Sequence, residues 1–132
     1  MATTHTLGIN DMLDAWDDTT TLYVGLIRDD SYVDLGTAAD TMASHGNWEE
    51  ADEYSGSRKE FVAVAAAGGA LTNSASKASF AVNGTETFKG FFLCTAATGT
   101  TCILVGAALF TSGDQACVNG QTLEVEATIT VS

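Results

Sequence analysis

Residues 121–132 alternate without a break: Leu123, Val125, Ala127, Ile129 and Val131 fall on one side, Glu124, Glu126, Thr128 and Thr130 on the other. A period of two with β-branched enrichment marks a strand with one face buried and one wetted. Ala78-Ser79-Phe80-Ala81-Val82-Asn83 alternates likewise and runs into Asn83-Gly84. Both turn residues tolerate positive φ, so the dipeptide predicts a hairpin whose returning strand is Phe88-Lys89-Gly90-Phe91-Phe92-Leu93. Residues 101–110 form a long apolar run, which its β-branched content and Gly/Thr flanks assign to a buried strand rather than a helix. Residues 60–65 and 21–27 complete a set of about six or seven strands. The predicted fold is mainly β, an antiparallel β-sandwich or barrel-like domain with one or two short N-terminal helices.

Helix is expected only in the front half. Asn10 is placed to cap a short amphipathic stretch over residues 11–16, and residues 38–45 predict one or two turns stopped by Gly46. Both are too short to stand without packing on the sheet. With 132 residues, the chain divides into an N-terminal arm or short helix (1–20) and a single β domain (21–132). The arm is expected to order on crossing onto a neighbouring subunit. The small-residue tract Ala65-Ala66-Ala67-Gly68-Gly69-Ala70 is the expected place of close subunit approach.

Charge narrows the function classes. Five Lys and Arg against 17 Asp and Glu leave a net charge of −12. Nucleic-acid binding and polybasic membrane association both need positive charge facing phosphates, so neither is expected. No apolar run approaches the ~18–20 residues of a membrane span, and no basic segment precedes an apolar one at the start, so neither a transmembrane helix nor a signal peptide is expected. Residues 1–54 carry twelve acids and one base, residues 55–132 five acids and four bases, or −11 against −1. Such a split predicts two surfaces facing two environments. Proline is absent, so turns fall to Gly, Asn, Asp and Ser.

Chemistry-bearing motifs are scarce. Cys94, Cys102 and Cys117 have no zinc spacing, and free thiols are expected, with a Cys94–Cys102 bridge as the alternative in oxidising surroundings. His5 lies in a polar N-terminus; His45, with Asp40 or Ser44 nearby, is the one candidate base, but no nucleophile elbow accompanies it. The acid runs at residues 29–34 and 49–53 lack the alternation and sixth-position Gly of a calcium loop and read as solvated loops. Gly68-Gly69 and Gly84 lack the Gly-Lys-Ser/Thr ending of a phosphate loop, and Asn83-Gly84-Thr85 reads as a turn before it reads as a glycosylation site. No catalytic residue, cofactor or metal site is predicted, and an enzyme is not expected.

One segment stands apart: Asp40-Thr41-Met42-Ala43-Ser44-His45-Gly46-Asn47-Trp48-Glu49-Glu50, followed by Tyr54 and Arg58. His45, Trp48, Glu49, Tyr54 and Arg58 are the predicted interface or structural-loop residues, with the aromatics pinned to the sheet and Arg58 tied to a neighbouring carboxylate. This segment, with Leu22-Tyr23-Val24-Gly25-Leu26-Ile27 before it and Gly90-Phe91-Phe92-Leu93, Leu109-Phe110 and Gly120-Gln121-Thr122-Leu123-Glu124-Val125 after it, resembles a family of small virion proteins of tailed bacteriophages. The resemblance touches most of residues 21–132. Where that pattern has a small residue before the Trp and a Pro after the Arg, this chain has Asn47 and Lys59. It implies a structural role in the particle: a capsid decoration or cement protein on the outer shell of the head. The expected partners are the major capsid protein or other virion proteins and copies of itself as a homotrimer, in a virion assembled in the host cytoplasm. The alternative is a neck or tail-fibre adhesion module that binds carbohydrate, with Trp48, Tyr23, Tyr32 and Tyr54 stacking on sugar rings.

Overall fold

The computed structural model describes residues 6–131; His5 and the last residue of the alternating C-terminal run lie outside them. In chain order the elements are α1 (Thr6–Thr19), β1 (Tyr23–Arg28), β2 (Lys59–Glu60), β3 (Ala70–Thr72), β4 (Ala78–Ala81), β5 (Glu86–Cys94), β6 (Leu104–Leu109), β7 (Gln115–Cys117), β8 (Thr122–Val125) and β9 (Thr128–Thr130). The described chain is mainly β, with antiparallel sheets, one helix and no closed barrel.

The main sheet runs β2-β1-β5-β6, with β7 also paired to β5. Two ribbons, β3 with β9 and β4 with β8, form a second layer. Val24 and Leu26 of β1, Phe88 and Leu93 of β5, Leu71 of β3, Phe80 of β4, and Leu123 and Val125 of β8 join in one buried cluster. The arrangement is therefore sandwich-like, with its core between the main sheet and the ribbons. Ile9, Leu13 and Trp16 recur at helical spacing on α1 and pack on the same cluster.

Several local expectations give way to tertiary pairing. The alternation keeps its sides through residue 127, with Leu123, Val125 and Ala127 buried and Glu124 and Glu126 exposed, but Ile129 is only half-buried, Val131 is exposed, and the run serves two strands instead of one. Asn73, fully buried, makes the break: its Oδ1 accepts from the Ala127 amide at 2.8 Å and its Nδ2 donates to the Val125 carbonyl at 3.1 Å. Asn73→Ala is expected to cost about 1–3 kcal/mol in a denaturant titration, because both backbone groups lose their partner away from water. No hairpin forms at Asn83-Gly84. Neither residue has positive φ, β4 pairs with β8, and the segment carries the chain from the second layer into the main sheet.

Residues 38–45 are turns and not a helix, since the Asp40 carboxylate accepts from the Thr37 amide and hydroxyl while Thr41 and Ser44 exchange backbone bonds. Of the expected strand at 60–65 only Glu60 is strand, as the end of β2; beyond it Phe61 donates to Leu22 and Val64 to Thr72. The apolar run at 101–110 forms β6, but as an exposed sheet edge rather than a buried strand.

The helix is longer than the predicted 11–16, and Asn10 sits inside it. Its Oδ1 accepts from the Gly69 amide at 2.9 Å, and one turn on the Asp14 Oδ1 accepts from the Ala66 amide at 2.7 Å. The close approach to the small-residue tract is thus made by the chain's own helix. Asp17 and Asp18 stand near the helix C-terminus, where the backbone dipole disfavours negative charge. Partial burial, then the neighbouring Asp18 and Asp14, push the Asp17 carboxyl pKa up. A carboxyl with a raised folded pKa destabilises the fold once both states are ionised. Asp17→Asn is therefore expected to raise the melting temperature slightly at neutral pH, and a marked drop would refute this account.

Candidate functional site: the loop over the main sheet

The main sheet has a second face, and the segment singled out by sequence covers it. Ile27 of β1 and Phe92 and Cys94 of β5 point away from the sandwich core, and Met42 and Trp48 close over them, with Tyr32, Leu35 and Leu104 at the margin. The loop is pinned at both ends: the Asp29 amide donates to the Thr87 carbonyl at 2.9 Å and the Arg28 amide to the Glu49 carbonyl at 3.1 Å. Between them Val33 donates to the Asn47 carbonyl, and the Asp34 carboxylate accepts from the Gly36 amide and the Asn47 side chain.

Phe92 is the centre of the site. Trp48, only 3% exposed, lies with its ring centroid 5.1 Å from that of Phe92, and His45 stacks on the outer side of Trp48 at 3.8 Å and 14°. The Phe92 ring extends over Gly25, its cross-strand partner, where even a methyl group would overlap it. Only glycine leaves room for an aromatic ring to lie flat there.

Arg58 approaches the same ring, with its guanidinium carbon 5.3 Å from the centroid. Its side chain is nearly buried and its donors are committed within the protein. Nε and Nη2 bind the two Glu50 carboxylate oxygens at 2.8 and 2.7 Å, Nη1 the Ala96 carbonyl at 3.0 Å, and Nη2 also the Gly99 carbonyl at 2.8 Å. The bidentate hydrogen bonds that Arg58 donates to Glu50 raise the guanidinium pKa further, against the opposing effect of burial. Gly99 takes positive φ in presenting its carbonyl. The Arg58 amide also donates to Ala97, so one residue fastens the β5–β6 loop to the strand-side segment at Glu50.

The other predicted residues go elsewhere. Tyr54 is buried in the sandwich core, edge-on to Phe80 at 4.8 Å, with Lys59 Nζ 5.7 Å over its ring. Glu49 is exposed at the surface, 4.0 Å from Arg28, whose Nη2 holds Asp52 and Glu53 more closely. Asp40 is engaged by Thr37 and His45 by Trp48, so that candidate acid–base pair is held by separate contacts. Phe92, Gly25 and Glu50 are the members the sequence reading did not single out; the acid run 49–53 offered Glu50 only as one of four equivalent carboxylates.

Burial pushes the Tyr54 phenol up to about 12, with Glu50 adding to it and Arg58 opposing. The unfolded chain loses this proton from about pH 10, so the associated stability is complete below pH 10 and disappears as pH rises to 12. Wild-type protein is expected to lose about 2 kcal/mol more than Tyr54→Phe across that interval. Parallel alkaline unfolding curves for the two would overturn the assignment.

Burial is also the main cause that raises the Cys94 thiol pKa, and its Sγ donates to the Ala96 carbonyl. All three cysteines are free. A recess of about 220 Å³ beside Arg58 is lined by Glu50, Tyr54 and Gly99, but Glu50 already neutralises the one buried cation there. Among the described residues no group of three or more His, Cys, Asp or Glu is placed to hold a metal ion, and no helix is long and apolar enough to cross a membrane. The arrangement locks a long polar segment onto a sheet and presents a fixed outer surface. Compared with protein-family models, curated proteins and solved structures, the chain matches none.

Proposed function

We propose that this chain is a non-catalytic structural protein of a tailed-bacteriophage particle, a decoration or cement subunit seated on the outer shell of the head against the major capsid protein. The observation that carries this reading is the use made of the segment bearing the resemblance. Its aromatic residues and the following arginine clamp a rigid cover over the sheet, as a docking brick requires. Charge supports the outside of the shell. Arg28, Arg58, Lys77 and Lys89, four of the five cations, are held in ion pairs, so the exterior is left acidic and would be repelled by packaged DNA. The adhesion reading loses its main platform, because a sugar ring cannot stack on a tryptophan that is 3% exposed.

Purified particles provide the test, through the copy number of this chain and its position in a reconstruction. Hundreds of copies on the outer head surface are expected. A dozen or fewer, with density confined to the neck or tail, would end the cement reading.

A further inference from the structure

β6 is the last strand of the main sheet on its side, and among the described residues it pairs only with β5. Among the described residues no other backbone or side-chain hydrogen bond reaches residues 104–109, so half of its peptide groups face outward for a further strand. Edge strands usually carry a charge, a proline or a cover that blocks such pairing. This one reads Leu104-Val105-Gly106-Ala107-Ala108-Leu109, with Val105 36% and Leu109 43% exposed and Ile103, just before it, 68% exposed.

The composition of the strand itself identifies the occupant. From Gly90 to Gly113 the chain has 24 consecutive residues without one charged side chain, in a molecule carrying −12. A cationic strand laid along β6 would find no carboxylate at the directly opposed positions of the strand. A neutral, apolar strand fits it, and β6 is itself such a strand. Paired with a second β6, it sets no like charges directly opposite one another; the carboxylates beside it, Asp40 near residues 104–107 and Glu124 and Glu126 near Leu109, belong to neighbouring segments and not to the strand that pairs.

We propose that β6 is a self-pairing edge: two copies of this chain join β6 to β6 antiparallel about a twofold axis, making one continuous sheet across both. An axis at Ala107 sets Gly106 opposite Ala108 and Val105 opposite Leu109, so the smallest side chains meet at the centre and the larger ones flank it. Side chains at these opposed positions lie on the same face, as antiparallel pairing requires. The interface is isologous and closes at two copies. It is independent of the virion reading, and it gives pairs where the sequence led to the expectation of a trimer.

The full chain is tested by sedimentation and by amide hydrogen exchange across a concentration series. A dimer is expected, with protection of the β6 amides rising with concentration. Association should strengthen with added salt, which screens the net repulsion while leaving the neutral contact intact. Val105→Lys and Leu109→Lys are each expected to raise the dimer dissociation constant at least about tenfold, with circular dichroism unchanged. If one variant misfolds, the other still decides the question. A monomer at every concentration with freely exchanging β6 amides overturns the proposal. So does a trimer, or a dimer that ignores both substitutions; a monomer that captures a strand of a different protein on β6 overturns it in favour of that partner.

Discussion

Trp48→Ala is expected to lower the unfolding free energy by about 3–5 kcal/mol, the range for removing a buried large aromatic. The indole fills the space between the loop and Phe92, and its loss leaves the His45 ring without its stacking partner. Because the loop covers one whole face of the sheet, the damage should appear as a lower midpoint in a single cooperative transition. Trp48→Phe gives the necessary contrast. It keeps a ring against Phe92 and deletes an indole Nε1 that makes no hydrogen bond within the protein, so its cost should be much smaller. A Trp48→Ala effect within about 0.5 kcal/mol would mean that the loop is not part of the cooperative fold.

Arg58→Ala is expected to cost about 3 kcal/mol or more, by a different route. The substitution strands the Glu50 carboxylate and removes the donors from the Ala96 and Gly99 carbonyls in one step. Breaking a partly buried pair from one side is costly because the surviving Glu50 charge, 28% exposed, keeps part of its desolvation penalty. Arg58→Lys should recover little, since an ammonium cannot grip both carboxylate oxygens while reaching the carbonyls of the neighbouring loop. The double variant with Glu50→Ala should cost clearly less than the sum of the two single ones. Strict additivity in that cycle would remove the Arg58–Glu50 clamp as the explanation.

Periodicity gave the faces of the strands correctly but did not give their partners. Leu123, Val125 and Ala127 are buried and Glu124 and Glu126 exposed, as the alternation requires. The interruption between β8 and β9 comes from Asn73, 54 residues from Ala127 in the chain, and nothing local to either segment announces it. Asn83-Gly84 satisfied the chemistry of a tight turn, yet pairing of β4 with β8 was the stronger constraint and put the flanking strands in different layers. The run at 101–110 reads as buried because apolar composition reports what a strand can bury, while its position at the sheet edge leaves it uncovered. At the loop, Trp48 and Arg58 were conspicuous as isolated large side chains in a polar stretch. Their meeting point, Phe92, is one of four large apolar residues in the strand segment 88–93, which carries no distinguishing motif. Gly25 carried no local signal either, because its necessity arises only once β5 lies beside β1.

The second layer has a bearing on how the chain reaches its native state. β3 closes on β9 and β4 on β8, so each ribbon joins the middle of the polypeptide to its last residues. A nascent chain emerging from the ribosome can form β1 with β5 and the β5–β6 pair while Leu71 and Phe80 still lack their cover. Such non-local closure slows folding and prolongs the exposure of apolar side chains. Synthesis of residues 122–130 is therefore the event that commits the molecule, and chains arrested before it should be the substrates that chaperones and proteases capture.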